Sequence, residues 1–598
     1  MASRHAVAKR RPARPGANWH LGDLLRDPPR DLERLRKEVD GQVRRFEEFR
    51  GRLSPDIPSD TFLEALRLAD TIARTTSRLG AYAYLWFSEN TKNQQARSFK
   101  AIVEELQAEL ANRMLFFDLW WQKLDDANAG RLLARSEDYA YHLESLRRFR
   151  EHALSEPEEK IVNVKSVTGR QAVVGLYEIL TSGLSYQLKV KGRVHTKLTR
   201  EDLMVYVRDP DARVREAAYR ELFRVYAANA DVIGDIYKTL VMDWKQENLG
   251  LRKHRSPIGV RNLSNDIPED AVDALLNVCA ANAGVFQGYF KLKARLCRIR
   301  KMSRHHIYAR FQESEKRYAF AKGSKMVLDA YRGFSPRLAD LAGRVLDERH
   351  VDAAVRPGKV GGAYCYSVLP QMTPYVLLNF KGDVRDIATL AHELGHAVHG
   401  MLAAGHSVFT FHATLPLAET ASVFGERILS DALMAAERDK VVKQGLLIRQ
   451  LDDVYATILR QAYFVRFERE AHRIIGEGGT MDDLCGVYLS ELRQQFGRAV
   501  AIPDEFRWEW LTIPHLFASP FYCYAYSFGN LLVLALYGLY RAQGESFVPR
   551  YLDLLAAGGS RSPESLLKDF GVDIRSEAFW QTGFETIRGM VRELEATA

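Results

Sequence analysis

Two histidines four residues apart carry the clearest chemistry in this chain of 598 residues. The segment His392-Glu393-Leu394-Gly395-His396 puts the two imidazoles one helical turn apart on nearly the same face. Both ring nitrogens can then reach a single zinc ion at about 2.0 Å. Glu393 falls to the side of that pair, so its carboxylate can hold a metal-bound water and take its proton instead of binding the metal. The spacing therefore predicts hydrolysis by a metal-activated water.

The flanking residues predict the helix that this arrangement needs. Asp383 can cap the helix, Asp386 adds a second carboxylate in its first turn, and Gly405 offers a stop. Gly395 lowers the stability of such a helix by about 1 kcal/mol relative to Ala. We therefore expect another element to approach the metal-binding face closely at Gly395.

A catalytic zinc ion usually has three protein ligands and one water, so a third ligand has to lie elsewhere. The position six residues after His396 is Leu402, which excludes the spacing that supplies a third histidine in some zinc peptidases. A second helix, predicted to begin near Pro416, carries Glu419 in a small and apolar run, where carboxylates are rare unless they are paired or bind metal. Glu419 is the predicted third ligand, and Glu426, two turns further on, is predicted to accept a hydrogen bond from a ligating imidazole. The alternative for each is a solvent-exposed helix acid.

These motifs resemble a known family. The segment 392–396 followed by Glu419-Thr420-Ala421-Ser422 resembles the oligoendopeptidase F branch of the thimet oligopeptidase family of zinc metallopeptidases. The resemblance extends from residue 19 to about residue 590 and is strongest at 361–426 and 505–530. One departure is Gly425, where members of the family often have Asn.

The resemblance implies roles for residues outside the metal helix. The stretch 513–526 would stabilise the oxyanion of the tetrahedral intermediate, since phenol and imidazole groups can donate hydrogen bonds to it. The residues to which this role carries over are His515, Tyr522 and Tyr526, with the choice of tyrosine open. If a helix begins at Ser519-Pro520, the two tyrosines lie four residues apart on one face. The third histidine of the metal helix, His399, is expected to support the ligands or to pack in the core.

Peptide contacts are expected ahead of the metal helix. The segment 374–380 is rich in β-branched and aromatic residues and is predicted to be a strand. The resemblance favours a sheet edge that lines the cleft, with which a substrate backbone could pair. The alternative is an ordinary buried strand. The residues predicted to contact substrate are Gly362, Ala363, Tyr364 and Tyr375.

The remaining pattern is mainly helical, and the predicted fold is mainly α. The resemblance implies a large helical body that encloses a deep cleft, with a small antiparallel sheet beside the metal helix. We divide the chain into a basic tail (1–17), an N-terminal helical region (18–200) and a catalytic region (201–598). Outside the site, the clearest strand candidate is a hairpin at 186–196 that turns at Lys191-Gly192.

Charge, cysteine content and hydropathy narrow the class of protein further. The formal net charge is +9, but the tail contributes five of these charges, which leaves 9 − 5 = +4 for the body. The tail is predicted to be disordered and is not a secretory signal, because it has no apolar segment. The five cysteines are odd in number and widely spaced, which indicates reduced thiols in a cytoplasmic protein. The most apolar run near the C-terminus has about half the length of a membrane span, so no membrane contact is predicted.

The resulting hypothesis is an endopeptidase with one zinc ion per chain. Its substrates would be short unstructured oligopeptides, with no nucleic acid or membrane partner. One alternative is a zinc carboxypeptidase or dipeptidyl carboxypeptidase of the related helical class. The other is a non-enzymatic helical protein whose basic tail contacts nucleic acid.

Overall fold

The computed structural model describes residues 18–311 and 316–597. The predicted basic tail, 1–17, lies outside the described residues. Helices make up most of the described chain and strands very little of it, so the mainly α prediction is confirmed. None of the helices in the described ranges is long and apolar enough to cross a bilayer.

The elements are labelled in chain order. The helices are α1 (Pro28–Glu47), α2 (Ser59–Glu89), α3 (Gln94–Lys123), α4 (Asp126–Leu133), α5 (Ala140–Arg147), α6 (Glu156–Thr168), α7 (Arg170–Gly183), α8 (Arg200–Tyr206), α9 (Ala212–Ala228), α10 (Ala230–Trp244), α11 (Gly259–Asn265), α12 (Glu269–Ala281), α13 (Ala283–Leu296), α14 (Phe320–Phe334), α15 (Pro336–Asp347), α16 (Val384–Leu402), α17 (Leu415–Ala418), α18 (Thr420–Ala436), α19 (Lys440–Val454), α20 (Arg460–Gly476), α21 (Met481–Phe496), α22 (Pro514–Ala518), α23 (Tyr524–Gln543), α24 (Phe547–Ala556), α25 (Pro563–Lys568) and α26 (Glu577–Ala596). The strands are β1 (Tyr186–Val190), β2 (Arg193–Leu198), β3 (Val351–Asp352), β4 (Tyr364–Tyr366) and β5 (Tyr375–Leu377). Short 3-10 helices occupy Glu48–Arg52, Glu137–Tyr139, Arg304–His306, Asp504–Thr512 and Gly544–Ser546, and π-helical turns occupy Lys245–Leu251 and Tyr455–Leu459.

Helix α16 is the predicted metal helix. Asp383 accepts the backbone N–H of Asp386 at 3.0 Å, and the Asp386 carboxylate accepts the backbone N–H of Gly382 at 2.7 Å and of Asp383 at 3.3 Å. These bonds satisfy donors at the helix start that have no partner within the helix. The predicted cap is confirmed, and the helix of 19 residues ends at Leu402, shortly before the predicted stop at Gly405.

Gly395 lies where α16 meets α18. A Cβ atom at this position would stand 2.6 Å from the carbonyl oxygen of Ala421 and 2.6 Å from the Cα of Ser422. These are backbone atoms that cannot move aside without shifting α18. The predicted close approach is therefore confirmed, and it brings the backbones of α16 and α18 into contact.

The small sheet beside α16 has the strand order β3-β5-β4. Strand β5 pairs parallel with β3 and antiparallel with β4, so the sheet is mixed and not wholly antiparallel. Because β5 is the central strand, the prediction that 374–380 forms the edge is wrong. Strand β4 lies at the edge of this sheet.

The hairpin β1–β2 has the predicted position and turn. The strands pair antiparallel up to Val190 and Arg193. Lys191 and Gly192 between them have φ values of 48° and 82°. Positive φ at both central residues is typical of the two-residue turn whose twist matches that of the strands.

Buried side chains form two hydrophobic cores. The N-terminal core contains residues between Trp19 and Leu143 together with Val368, Tyr375 and Leu377. The larger core contains residues from Tyr177 to Leu594 and surrounds α16. The boundary proposed near residue 200 stays a prediction.

Candidate metal centre and active site

Side chains of His392, His396 and Glu419 converge on one point. The Nε2 atoms of the two histidines lie 3.2 Å apart, and Oε2 of Glu419 lies 3.4 Å from Nε2 of His392 and 3.6 Å from Nε2 of His396. Ligand atoms of a tetrahedral zinc ion with bonds of about 2.0–2.1 Å stand about 3.3 Å apart. The three residues therefore fit a tetrahedral metal ion and leave its fourth position for another ligand.

Glu419 is positioned by a break between two helices. The sequence predicted one helix from Pro416, but α17 ends at Ala418 and α18 begins at Thr420, so Glu419 lies at the junction. The hydroxyl of Ser422 donates a hydrogen bond to Oε2 of Glu419 at 2.8 Å. Sequence reasoning gave Ser422 no role, although its place three residues after the expected ligand was visible.

Helix α23 supports the same junction from the other side. A Cβ atom at Gly529 would lie 3.1 Å from the Cβ of Glu419 and 3.3 Å from the carbonyl oxygen of Pro416. The absence of a side chain at Gly529 thus lets α23 pack directly against the carboxylate-bearing residue.

Glu426 is hydrogen-bonded to His392, one of the three candidate metal ligands. Nδ1 of His392 is 2.5 Å from Oε1 of Glu426, which leaves Nε2 of His392 directed at the convergence point. Burial lowers the pKa of His392, but the hydrogen bond and the charge of Glu426, together with Glu419, outweigh it and raise the pKa to about 9. A carboxylate partner of this kind orients a ligating imidazole and increases its basicity.

Glu393 lines the cleft next to this cluster without contributing a ligand atom to it. Its side chain is 5% exposed, and burial raises its pKa to about 7. A carboxyl group with a pKa near neutrality is suited to take up and return a proton at neutral pH.

His399 lies one turn beyond the ligands on α16. Its ring is buried, and burial lowers its pKa to about 4, so the imidazole is neutral near pH 7. It lines the cleft but is not part of the group that could hold the metal.

Gly425 makes room for the side chain of Tyr331, which contacts α16. A Cβ atom at this position would collide with the hydroxyl of Tyr331 at 2.2 Å. That hydroxyl donates a hydrogen bond to the carbonyl oxygen of Ala391, immediately before the first metal-binding histidine. The glycine that departs from the family pattern therefore accommodates a tyrosine that braces α16.

The three residues expected to stabilise an oxyanion are close together. The hydroxyl of Tyr526 lies 3.4 Å from Nε2 of His515. The ring centroids of His515 and Tyr522 are 5.6 Å apart, and those of Tyr522 and Tyr526 are 5.2 Å apart. Both tyrosines line the cleft that His392, His396 and Glu419 also line. Burial raises the pKa of both, so their hydroxyls remain protonated and can donate hydrogen bonds.

The predicted helix start at 519–520 is wrong. Helix α22 ends at Ala518, a turn follows, and α23 begins at Tyr524. Tyr522 therefore lies in the turn, whereas Tyr526 lies in the first helical turn of α23. The two side chains are not one turn apart on the face of a single helix.

One peptide group in this turn is held at both ends. The carbonyl oxygen of Pro520 accepts a hydrogen bond from Nε of Arg261 at 3.2 Å. The N–H of Phe521 donates to Oε1 of Glu468 at 2.9 Å. Phe521 has φ +56° and a fully buried ring, a left-handed conformation that is costly for a bulky residue. Sequence reasoning missed Arg261 and Glu468, because they lie 259 and 53 residues away from the turn.

We expect Glu468 to position the tyrosines through this peptide group. Glu468→Ala should lower kcat more than it raises KM, because the buried N–H of Phe521 loses its acceptor, at a cost of about 1–3 kcal/mol. Glu468→Gln should restore most of the rate, since an amide oxygen can accept the same bond. The measurement is kcat and KM on one blocked peptide, with metal content recorded in parallel. Glu470→Ala, on the same helix and 45% exposed, is the matched control. Equal rates for Glu468→Ala and the control would contradict the positioning role.

The predicted substrate contacts divide into two groups. Ala363 and Tyr364 line the cleft, and Gly362 immediately precedes them at φ +76° but is not part of the lining. Tyr375, in contrast, is 0% exposed, and its ring packs on His350 at 4.0 Å and on Trp19 at 6.1 Å. The prediction that Tyr375 contacts substrate is wrong, because its strand is central and its side chain enters the N-terminal core.

The cleft lined by His392, His396, Glu419 and Glu393 has a volume of about 700 Å³. A cavity of this size is typical of a site for a small molecule or a short peptide segment. Its walls come from β4, α16, α18, α19 and α23.

The helical fold, with three residues that could hold a metal ion, two on α16 and one between α17 and α18, is that of a metallopeptidase. A family model described as peptidase family M3 matches residues 333–586, and one described as oligopeptidase F matches residues 120–186. The chain belongs to peptidase family M3, in its oligoendopeptidase F branch.

Individual relatives agree with this membership. An oligoendopeptidase F homolog of Borreliella burgdorferi is 24% identical over 588 residues, which cover 96% of this chain and 97% of the relative. Oligopeptidase PepF of Bacillus subtilis is 24% identical over 93% of this chain and 84% of its own length. The crystal structure of oligoendopeptidase-F from Enterococcus faecium has a TM-score of 0.72 at 21% identity and covers 95% of this chain and 99% of that one. The family predicted from the sequence is confirmed.

Proposed function

We propose that this protein is a zinc-dependent endopeptidase that hydrolyses internal peptide bonds of short unstructured oligopeptides. The observation that carries the proposal is the tetrahedral spacing of the ligand atoms of His392, His396 and Glu419, with Glu393 beside them in the same cleft. Imidazole and carboxylate ligands in this number are characteristic of catalytic zinc.

Each residue of the site has a part in the proposed reaction. His392, His396 and Glu419 would hold one zinc ion per chain, which would supply Lewis acidity toward the scissile carbonyl and lower the pKa of water. The carboxylate of Glu393 accepts a proton from the attacking water and then donates it to the leaving amine. His515 and one of the two tyrosines donate hydrogen bonds to the oxyanion, a contribution of about 3–4 kcal/mol per donor.

The substrate backbone is proposed to pair with strand β4 and not with β5. Strand β4 is at the sheet edge, Tyr364 and Cys365 on it line the cleft, and an edge strand can add an extended peptide through backbone hydrogen bonds. Pairing of this kind depends little on side chains. Because the site is a cleft of about 700 Å³ with the general base buried, it suits an extended segment better than a folded domain.

A comparison of three substrates tests the proposal. We expect a short unstructured peptide and its N-acetylated, C-amidated form to be cut at the same internal bond, and a folded protein to resist. Mass spectrometry locates the cuts, and metal removal by a chelator followed by zinc addition should abolish and restore them. Failure on the doubly blocked peptide would favour the carboxypeptidase alternative. Efficient digestion of the folded protein would contradict the enclosed cleft.

A cytoplasmic location is also proposed. All five cysteines are free thiols, and three of them, Cys279, Cys485 and Cys523, are buried. Unpaired cysteines support a reducing compartment.

A further inference from the structure

The cleft continues beyond the metal cluster between α18 and α19. Arg427, Arg449 and Gln450 line this part. Each has a buried side-chain nitrogen without a hydrogen-bond partner among the described residues, namely Nε of Arg427, Nη1 of Arg449 and Nε2 of Gln450. Buried polar groups in folded proteins are nearly always bonded, so three neighbouring orphan donors call for a missing acceptor.

Arg427 is largely committed to protein partners. Its Nη2 lies 2.9 Å from Oδ1 of Asp431, and its guanidinium stands 5.2 Å from the ring centroid of Tyr537. Nη1 donates a hydrogen bond to Oε1 of Gln450 at 3.3 Å. Because arginine only donates, Gln450 must present its oxygen to Arg427, and its NH₂ group is left for another acceptor.

Arg449 keeps an uncompensated charge. Its half-buried side chain forms no ion pair or hydrogen bond with any residue in 18–311 or 316–597. Glu426, which lines the cleft, bonds His392, and Asp431, outside the lining, pairs with Arg427. Burial raises the pKa of Asp453, one turn further along, to about 6, and the charges that lower it are those of Arg385 and Arg208.

The surroundings favour binding of an anion over simple hydration. Apolar side chains flank the two residues in the same cavity, among them Leu433, Leu446 and Met590. A lowered local dielectric strengthens a charged hydrogen bond that forms there. The guanidinium fork matches the two oxygens of a carboxylate, and a neighbouring amide N–H adds a third donor.

We propose that Arg449 and Gln450 form a carboxylate-binding subsite of the substrate cleft. The inference rests on the proposed peptidase function and adds a substrate class, namely peptides that carry a carboxylate at a fixed distance from the scissile bond. That carboxylate belongs either to an acidic side chain or to the C-terminus of the peptide. Both sources present the same chemistry to Arg449.

The test compares peptides that differ in one carboxylate. The parent is a doubly blocked peptide without charged residues. One series replaces single positions of the parent by Glu and, as isosteric partners, by Gln. A second series varies the distance between the cut bond and a C-terminus that is either a free acid or an amide. We measure kcat and KM for the wild-type zinc enzyme, Arg449→Gln and Lys440→Gln, an exposed residue at the start of the same helix that removes the same charge.

We expect one position, or one terminal distance, at which the carboxylate raises kcat/KM about 10- to 100-fold over its neutral partner, mainly through KM. Arg449→Gln should abolish that gain and leave cleavage of the neutral parent within about twofold of wild type, and Lys440→Gln should keep the gain. A gain in the Glu series assigns the subsite to acidic side chains, and a gain in the second series assigns it to the peptide C-terminus.

Two results would overturn the subsite. One is the absence of a gain at every position in the wild-type enzyme, and the other is a gain that persists in Arg449→Gln. Failure of the wild-type enzyme to cut the neutral parent and every peptide of both series would instead reject the peptidase function itself. Metal content and thermal midpoint of each variant show whether the fold is retained.

Discussion

Replacement of Glu393 by Gln is expected to lower kcat about 100- to 10,000-fold while the metal stays bound. The substitution keeps the size and polarity of the side chain, so the packing of α16 should not change. An amide cannot take up a proton as a carboxylate does, and proton transfer by a positioned group contributes a factor of this order. Glu393 contributes no ligand atom to the cluster, which is why metal content should be unaffected.

The measurement is kcat on the doubly blocked peptide together with metal content per chain and the thermal midpoint. Glu545→Gln, in the short 3-10 helix Gly544–Ser546 and outside the cleft lining, controls for the loss of one negative charge. Turnover near the wild-type rate would rule out Glu393 as the proton acceptor. Loss of the metal along with activity would instead move Glu393 into the group of ligands.

Glu419→Ala and Glu426→Ala are expected to distinguish the predicted metal ligand, Glu419, from Glu426, which supports the ligand His392. Glu419→Ala removes one of three ligand atoms and the acceptor of the Ser422 hydroxyl, so the variant should lose metal under conditions in which the wild-type protein remains loaded. Glu426→Ala removes only the partner of Nδ1 of His392 and should weaken metal binding about 10- to 100-fold. Competition with a metal chelator gives both affinities.

The order of the two effects is the critical result. A stronger loss in Glu426→Ala than in Glu419→Ala would exchange the two assignments. Glu545→Ala serves as the control for a substitution outside the cleft. Added zinc should restore activity to Glu426→Ala at a higher concentration than the wild-type protein needs, whereas Glu419→Ala should remain inactive.

Local spacing explains why the metal helix could be predicted. The positions of His392 and His396 and the carboxylates of its first turn are short-range features, and short-range features decide where a helix begins and which residues share a face. Glu419 could be found because a carboxylate in an apolar run is rare. The break between α17 and α18 at Glu419 had no such signal, and the close contact of this junction with Gly529 on α23 joins residues far apart in sequence.

Long-range pairing explains what the sequence did not reveal. Strand β3 has two residues, Val351–Asp352, which is too short to show an alternating pattern, yet its pairing with β5 decides that β5 is central and β4 is the edge. The late start of α23 likewise accompanies hydrogen bonds from Arg261 and Glu468 to the preceding turn. The proposed subsite residues, Arg449 and Gln450, are neighbours on α19, but only the fold shows that they line the same cleft as the metal-binding residues.

The position of strand β5 links local unfolding of the N-terminal helices to the substrate cleft. Side chains alternate along a strand, and here Tyr375 and Leu377 enter the N-terminal core while Val376 and Leu378 enter the larger one. Strand β5 is thus anchored in both hydrophobic cores. It pairs with β4, the edge strand with which a substrate would align. Local unfolding of the N-terminal helices would remove half of that anchorage. The N-terminal core therefore supports one wall of the cleft. A substitution in that core, far from the candidate metal ligands, can weaken peptide binding by displacing the three residues of β5.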